Sequence, residues 1–154
     1  MPVLFVIGRV AFVLIFIMSG AQKLMDIGGT ADLIAPKIFI PAMAADIARQ
    51  IETTLGMPMP KIVAILVGSV EVAAGLGLAF NILPRLSSLL LIAFTVATIY
   101  YFHDFWNLPD GAEKTDNTIH AMKNVSLIGA LIVFFVLGSW RPATVRQMDD
   151  DDLR

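Results

Sequence analysis

The amino-acid sequence predicts an all-α integral membrane fold, a four-helix bundle with an interfacial amphipathic helix in its first long loop. Three observations predict it. The chain is 57% hydrophobic and only 16% charged, against roughly 45–50% and about 25% in soluble domains. Its mean hydropathy is +0.78. Its apolar residues gather into four runs close to the ~20 residues that a helix needs to cross a hydrocarbon core of about 30 Å. A soluble protein with four such helices would have almost no polar surface left to dissolve it. The expected domain is a single one, residues 1–148, with spans about 3–24, 62–83, 86–102 and 125–140 and an acidic tail at 149–154.

The first span opens without a basic segment, since Met1-Pro2-Val3 precedes an apolar run of crossing length, and it is expected to be retained rather than cleaved. Within the following connection, Pro41 and Gly56 bracket a segment in which Met43, Ile47, Ile51 and Leu55 recur every four residues, with Asp46, Arg49, Gln50 and Glu52 elsewhere around it. Such a helix lies on a membrane surface with its apolar face down. Asn81, Pro84 and Arg85 make a tight turn between the second and third spans. The connection before the fourth span, with Asp104, Asn107, Pro109, Asp110, Gly111 and Glu113, reads as a polar loop. Both long connections then lie on one side of the membrane. The Arg85-bearing turn and the tail residues Arg141, Arg146 and Arg154 face the cytoplasm by the positive-inside rule, so both termini are expected there.

Composition also excludes whole classes of function. The net charge is −2 and the eleven Lys and Arg are scattered, so no nucleic-acid partner is expected. Without cysteine the chain cannot form disulfides, hold an iron–sulfur cluster, attach haem covalently or exchange dithiols. Any redox chemistry must be borrowed. The spacing of His103 and His120 indicates no metal or haem pair, and no metal ligand set is assigned.

The informative residues are polar ones that a purely apolar helix does not need. Glu71 falls about ten residues into the second span, roughly 15 Å from its start and near the bilayer midplane. It shares a helical face with Ala64, Gly68, Gly75 and Ala79, the small-residue spacing that lets helices approach, so it is expected to point inward. Two roles stand for it: an interhelical packing carboxyl, or a functional one. Arg9, Phe16 and Lys23 fall seven apart on the first span with Gly20 beside them, a face that can meet Glu71. Arg9 is expected to snorkel to headgroups, Lys23 to stay in the bundle. Gln22, Lys23, His103, Asp104, Lys123 and Asn124 are expected to gather at one membrane face, where a quinone can accept hydrogen bonds on its carbonyls and pack its ring against aromatics. Tyr100, Tyr101, Phe105 and Trp106 read either as that aromatic wall or, with Trp140, as an interfacial belt.

Taken together, Gly8-Arg9, the run Ser19-Gly20-Ala21-Gln22-Lys23-Leu24, Gly68 with Glu71 and Gly75, Arg85, His103 with Phe105-Trp106, and Lys123-Asn124 resemble the DoxX family of small four-helix membrane proteins. The resemblance spans nearly the whole chain. It implies a bacterial inner-membrane protein, and its relatives include a subunit assigned to thiosulfate:quinone oxidation and partners of thiol-stress and superoxide-detoxifying proteins. By that analogy Glu71, Lys23, Lys123 and Asn124 are candidate site residues; joined with the polar cluster, Glu71 is the candidate catalytic, proton-exchanging carboxyl, Gln22, Lys23, His103, Lys123 and Asn124 are the candidate quinone or substrate ligands, and Arg9 and Arg85 are structural polar residues. The expected cofactor inventory is none intrinsic, with a bound quinone. The expected partners are the lipid bilayer and other membrane or redox subunits. Whether the chain is itself an enzyme stays open at this point. The expected function is a quinone-interacting component of a membrane oxidoreductase system; the alternatives are a non-catalytic accessory subunit of a larger respiratory complex, or a small solute or proton carrier.

Overall fold

A computed structural model describes residues 3–138. Over these residues the chain is helical and forms no strand. Its elements are α1 (Val3–Met25), α2 (Ile27–Ile34), α3 (Ala45–Leu55), α4 (Met59–Ala79), α5 (Pro84–Phe102) and α6 (Ala112–Leu137), with short 3₁₀ turns before α3 and α6. Four of them, α1, α4, α5 and α6, are long and apolar enough to cross a membrane. This is an integral membrane protein.

The long helices pack in sequence around one core. The most extensive interface joins α1 to α4; α4 then packs on α5 and α5 on α6. Tilted ring contacts of Phe134 with Phe5 and Phe12 bring α6 back to α1. Val13, Phe16, Ala74, Leu78, Leu91 and Leu131 fill the centre. The outside is covered with exposed large apolar residues such as Leu14, Ile15, Leu66, Leu90 and Val133, while Glu71, Ser88 and Thr95 are buried. That inversion of the soluble pattern is what a lipid solvent requires.

The α1–α4 interface is close because its small residues face each other. A Cβ on Gly20 would stand 2.7 Å from the Gly68 carbonyl oxygen and 2.8 Å from Cβ of Glu71, and one on Gly75 would stand 2.8 Å from Ile17. Backbone meets backbone here, which only glycine allows.

The helix bounds differ from the hydropathy spans for local reasons. The second span, expected to reach residue 83, ends at Ala79. Asn81 adopts a left-handed conformation (φ 60°), Ile82 N–H donates to the Gly77 carbonyl at 2.7 Å and Asn81 N–H to that of Leu78. This is a Schellman cap with Asn in the place glycine usually takes. Pro84 then opens α5. The fourth span, expected at 125–140, begins at Ala112, so residues 112–124 are helix rather than loop. Hydropathy marks the bilayer and not the helix: the first turns of α6 are polar on their open faces, with Lys114 paired to Asp110 at 2.8 Å. Its last expected residues, 139 and 140, and the acidic tail lie outside the described residues.

The first long connection holds more structure than one amphipathic helix. The segment with the fourfold apolar recurrence is α3, on which Ile47, Ile51 and Leu55 stay exposed, as does Met43 in the turn before it. Gly56 closes it in the left-handed conformation, and the Glu52 carboxylate accepts the Met59 N–H at 2.6 Å, capping α4. The additional helix is α2. Asp26 caps it by accepting the Gly29 N–H at 2.9 Å, and a Cβ at Gly29 would collide with that carboxylate. Ala31 and Ile34 anchor α2 on Ala64 of α4.

Candidate functional site

Lys23 and Glu71 meet inside the bundle. Helical side chains lean toward their own N-terminus, so Lys23, near the end of α1, is directed back into the membrane rather than out of it. Glu71 lies twelve residues into α4, about 18 Å from its start. α1 and α4 run antiparallel, which brings the two heads together: Lys23 Nζ stands 2.8 Å from Glu71 Oε2. The ammonium donates to Ser19 Oγ at 2.6 Å, one turn back, and has a weaker 3.5 Å contact with the Ser19 carbonyl. The Phe94 ring of α5 lies 5.4 Å below it. The glutamate side chain is 1% exposed and that of the lysine 25%. Neither carboxylate oxygen receives an aligned hydrogen bond. Lys23 is therefore the group that supports the Glu71 charge, by proximity and Coulomb attraction.

The exposed quarter of Lys23 faces a groove of about 510 Å³, within the size range of small-molecule sites. Its walls come from three elements: Thr30, Leu33 and Ile34 of α2 with Lys37 to Phe39 after it, Val63 and Val67 of α4, and Phe94, Thr98, Tyr101 and Phe102 of α5. The surface is mainly apolar. Lys23 is its deep polar group, and Lys37 is exposed. An ammonium has three N–H donors; Ser19 and Glu71 take two, and the third is held only by the long contact to the Ser19 carbonyl. The arrangement can bind an oxygen-bearing head at the deep end and an apolar body along the groove.

The other residues singled out from sequence are placed apart from this pair. The Gln22 side chain is exposed near the end of α1. Lys123 is exposed and Asn124 half-buried, eleven and twelve residues into α6 because that helix starts early. His103 follows the end of α5 but stacks on His120, centroids 5.0 Å apart and planes 8° from parallel, with Nδ1 3.4 Å from Asn117 Oδ1. None of Gln22, His103, Lys123 and Asn124 lines the groove. The two histidines do come together, which their spacing did not indicate. Parallel rings direct their in-plane lone pairs into separate planes, and among the described residues no group of three or more His, Asp or Glu is arranged to hold a metal.

Arg9 does not snorkel to headgroups. It is 7% exposed, its Nη1 donates to Asn81 Oδ1 at 2.9 Å and its guanidinium lies 5.7 Å from the Phe5 ring centre. The left-handed turn after α4 projects Asn81 over the α1 side of the bundle and supplies the partner that water or lipid would otherwise provide. Arg85 remains exposed, its guanidinium 5.8 Å from the Phe135 ring centre.

Sequence reasoning missed Ser19 and Phe94, which hold the Lys23 head, and the whole α2 wall. The i, i+4 spacing of Ser19 and Lys23 was the available signal for the first. Asp26 three residues before Gly29 was the signal for the α2 cap, masked by the Gly28-Gly29 pair.

The residues of this site fall within a family pattern. The DoxX profile matches residues 4–104. This chain belongs to the DoxX family. An inner membrane protein of Escherichia coli (strain K12), YphA, is 32% identical over 137 residues, which cover 89% of this chain and 84% of that protein. No solved structure matches. The family match takes in α1 to α5, and with them the Lys23–Glu71 pair and every groove-lining residue. The whole of α6, with Lys123, Asn124 and His120, lies beyond it.

Proposed function

We propose that this DoxX-family protein binds a quinone-class molecule in the groove between α2, α4 and α5, and serves as the quinone-interacting component of a membrane oxidoreductase system. One observation carries the reading: a buried Glu71 carboxylate paired with Lys23, whose quarter-exposed ammonium is the deep polar group of a mainly apolar, ligand-sized groove. A charged pair at this depth is costly, and ionisable residues held within a membrane mark functional sites. The residues suit the ligand. A quinone carbonyl accepts the weakly held third Lys23 N–H, Tyr101 offers a hydroxyl, and Phe94 and Phe102 offer ring faces. When bound, a quinone supplies the electron- and proton-accepting chemistry that a chain without cysteine lacks. The electron donor is then a partner subunit. Glu71, in contact with the group that holds the head, is the carboxyl placed to exchange a proton with it. The printed name of the E. coli relative supports an inner-membrane location, and Arg85 in the short α4–α5 turn supports cytoplasmic termini.

A second reading has its own observation. α6 is the least buried of the four spanning helices, and a helix that contributes so little to its own bundle suits an accessory subunit that packs against a larger complex. The test is titration of the full chain in lipid nanodiscs with a short-chain naphthoquinone, followed by calorimetry. Saturable binding is expected, weakened about tenfold or more in Lys23→Met by loss of a hydrogen bond from a charged donor. Absence of binding, or equal affinity in the variant, overturns the quinone reading. Co-purification at fixed stoichiometry with a complex whose turnover ignores Lys23 and Glu71 then establishes the accessory role.

A further inference from the structure

The Lys23 ammonium is shared between two claimants, the carboxylate behind it and the groove in front. We infer that the groove accepts an anionic oxygen head, and that such a head is taken up together with one proton, which goes to Glu71. The inference rests on the groove being a ligand site, and deepens it by naming the charge state of the ligand and its consequence.

Among the groove-lining residues the ionisable groups are Lys23 from α1, Lys37 after α2 and Tyr101 from α5; α4 contributes Val63 and Val67, and α6 contributes nothing. Lys37 is exposed, and the two carboxylates of the α2 region, Asp26 and Asp32, are also exposed and line no part of the groove. Deep in the site there is thus one positive charge, already matched by Glu71 at 2.8 Å. A neutral carbonyl head leaves that pair intact and needs no proton. An anionic head places a second negative charge on the same ammonium, in surroundings of low dielectric. Two anions sharing one site cannot both stay ionised, and the usual resolution is that one of them takes a proton.

Glu71 is the one that does so. Its two oxygens receive no aligned hydrogen bond from any described residue, so its charge rests chiefly on Lys23, with the Ser19 hydroxyl as a second polar neighbour. Any movement of the ammonium toward a ligand removes that support. The ligand, by contrast, meets a donor on the open side of the site and the hydroxyls of Thr30 and Tyr101; that of Thr98 is spent on the Phe94 carbonyl. Neutral and anionic forms of one ligand therefore differ at this site by one bound proton. That is the linkage a protein needs if it is to take up protons in step with reduction of a ligand by a partner.

The experiment compares two probes of one shape on the full chain in nanodiscs: a 2-alkyl-1,4-naphthoquinone, neutral, and its 3-hydroxy analogue, ionised at neutral pH. Calorimetric titration in phosphate and in Tris, whose ionisation enthalpies differ, reads the protons taken up per ligand bound. The expected result is uptake of about one proton with the hydroxy probe and none with the neutral one. In Glu71→Gln, whose amide has the shape of the carboxyl without its charge, the hydroxy probe binds about tenfold more tightly and its proton uptake disappears. Binding of the hydroxy probe without proton uptake, its exclusion from a groove that takes the neutral probe, or unchanged uptake in Glu71→Gln overturns the inference and leaves the groove reading standing. Binding of neither probe overturns both. The buffer comparison on the unmodified chain needs no variant to fold.

Discussion

Replacing Lys23 by Met removes the ammonium and keeps most of the apolar stem, which leaves Glu71 without its charge partner while disturbing little else. The structure sets the size of the effect. The Glu71 side chain is 1% exposed, and the 2.8 Å contact with Lys23 is its main polar support, with the Ser19 hydroxyl beside it. Breaking a buried pair by removing one partner costs about 3–5 kcal/mol, because a buried charge is stranded. The lower end, about 3 kcal/mol, applies here, since the lysine side chain is one quarter exposed and the stranded carboxyl can neutralise itself by taking a proton. Adding Glu71→Gln removes the stranded charge, so the double variant is expected within about 1 kcal/mol of the parent. The double-mutant cycle then gives a coupling energy of at least about 2 kcal/mol, larger by whatever Glu71→Gln costs alone. The assay is reversible unfolding in mixed micelles of increasing sodium dodecyl sulfate content, followed by circular dichroism. If Lys23→Met lies within about 0.5 kcal/mol of the parent, or if the second substitution rescues nothing, the pair does not support the bundle and the reasoning from its burial is wrong.

Three more perturbations follow from the same packing. Gly20→Ala sets a methyl group 2.7 Å from the Gly68 carbonyl oxygen and 2.9 Å from Val72, which must part α1 and α4; a loss of about 1–3 kcal/mol in the unfolding assay is expected, against no change for Gly8→Ala, where nothing lies within 4 Å. Asn81→Ala takes the acceptor from buried Arg9 and puts alanine into a left-handed turn, a loss of about 2 kcal/mol that Asn81→Asp, which keeps the acceptor, is expected to avoid. Replacing Ile47 and Ile51 by Asn removes the exposed apolar face of α3, so amide hydrogen exchange over residues 45–55 in nanodiscs is expected to rise while that of α4 stays slow; equal protection in both proteins would show that α3 is held by something other than lipid.

Much of the fold was legible because bilayer thickness imposes a length on apolar runs, and four such runs are present whatever their packing. The inward face of α4 was legible too, since Gly68, Glu71 and Gly75 are spaced for one helical stripe and small residues have little reason to gather on a lipid face. The start of α6 was not, because its polar first turns lie beyond the hydrocarbon and carry no hydropathy signal. Nor was α2, whose Gly28-Gly29 pair looks like a loop until Asp26 is seen to cap it.

The sequence by itself determined the solvent of this protein, the number of its crossings, the lack of thiol chemistry, and the presence of a carboxyl and an ammonium at membrane depth. Only the tertiary structure decided which of the polar residues meet. Lys23 reaches Glu71 because α1 and α4 run antiparallel at glycine-to-glycine distance, and each side chain leans toward its own N-terminus. Gln22, one residue away, points outward because a step of one residue turns a helix by about 100°. Arg9 is buried for an equally non-local reason, a left-handed asparagine 72 residues along the chain that carries its acceptor across the end of the bundle. Helical periodicity can state that two residues share a face. Which neighbour that face meets, and at what depth, depends on the packing of the other helices.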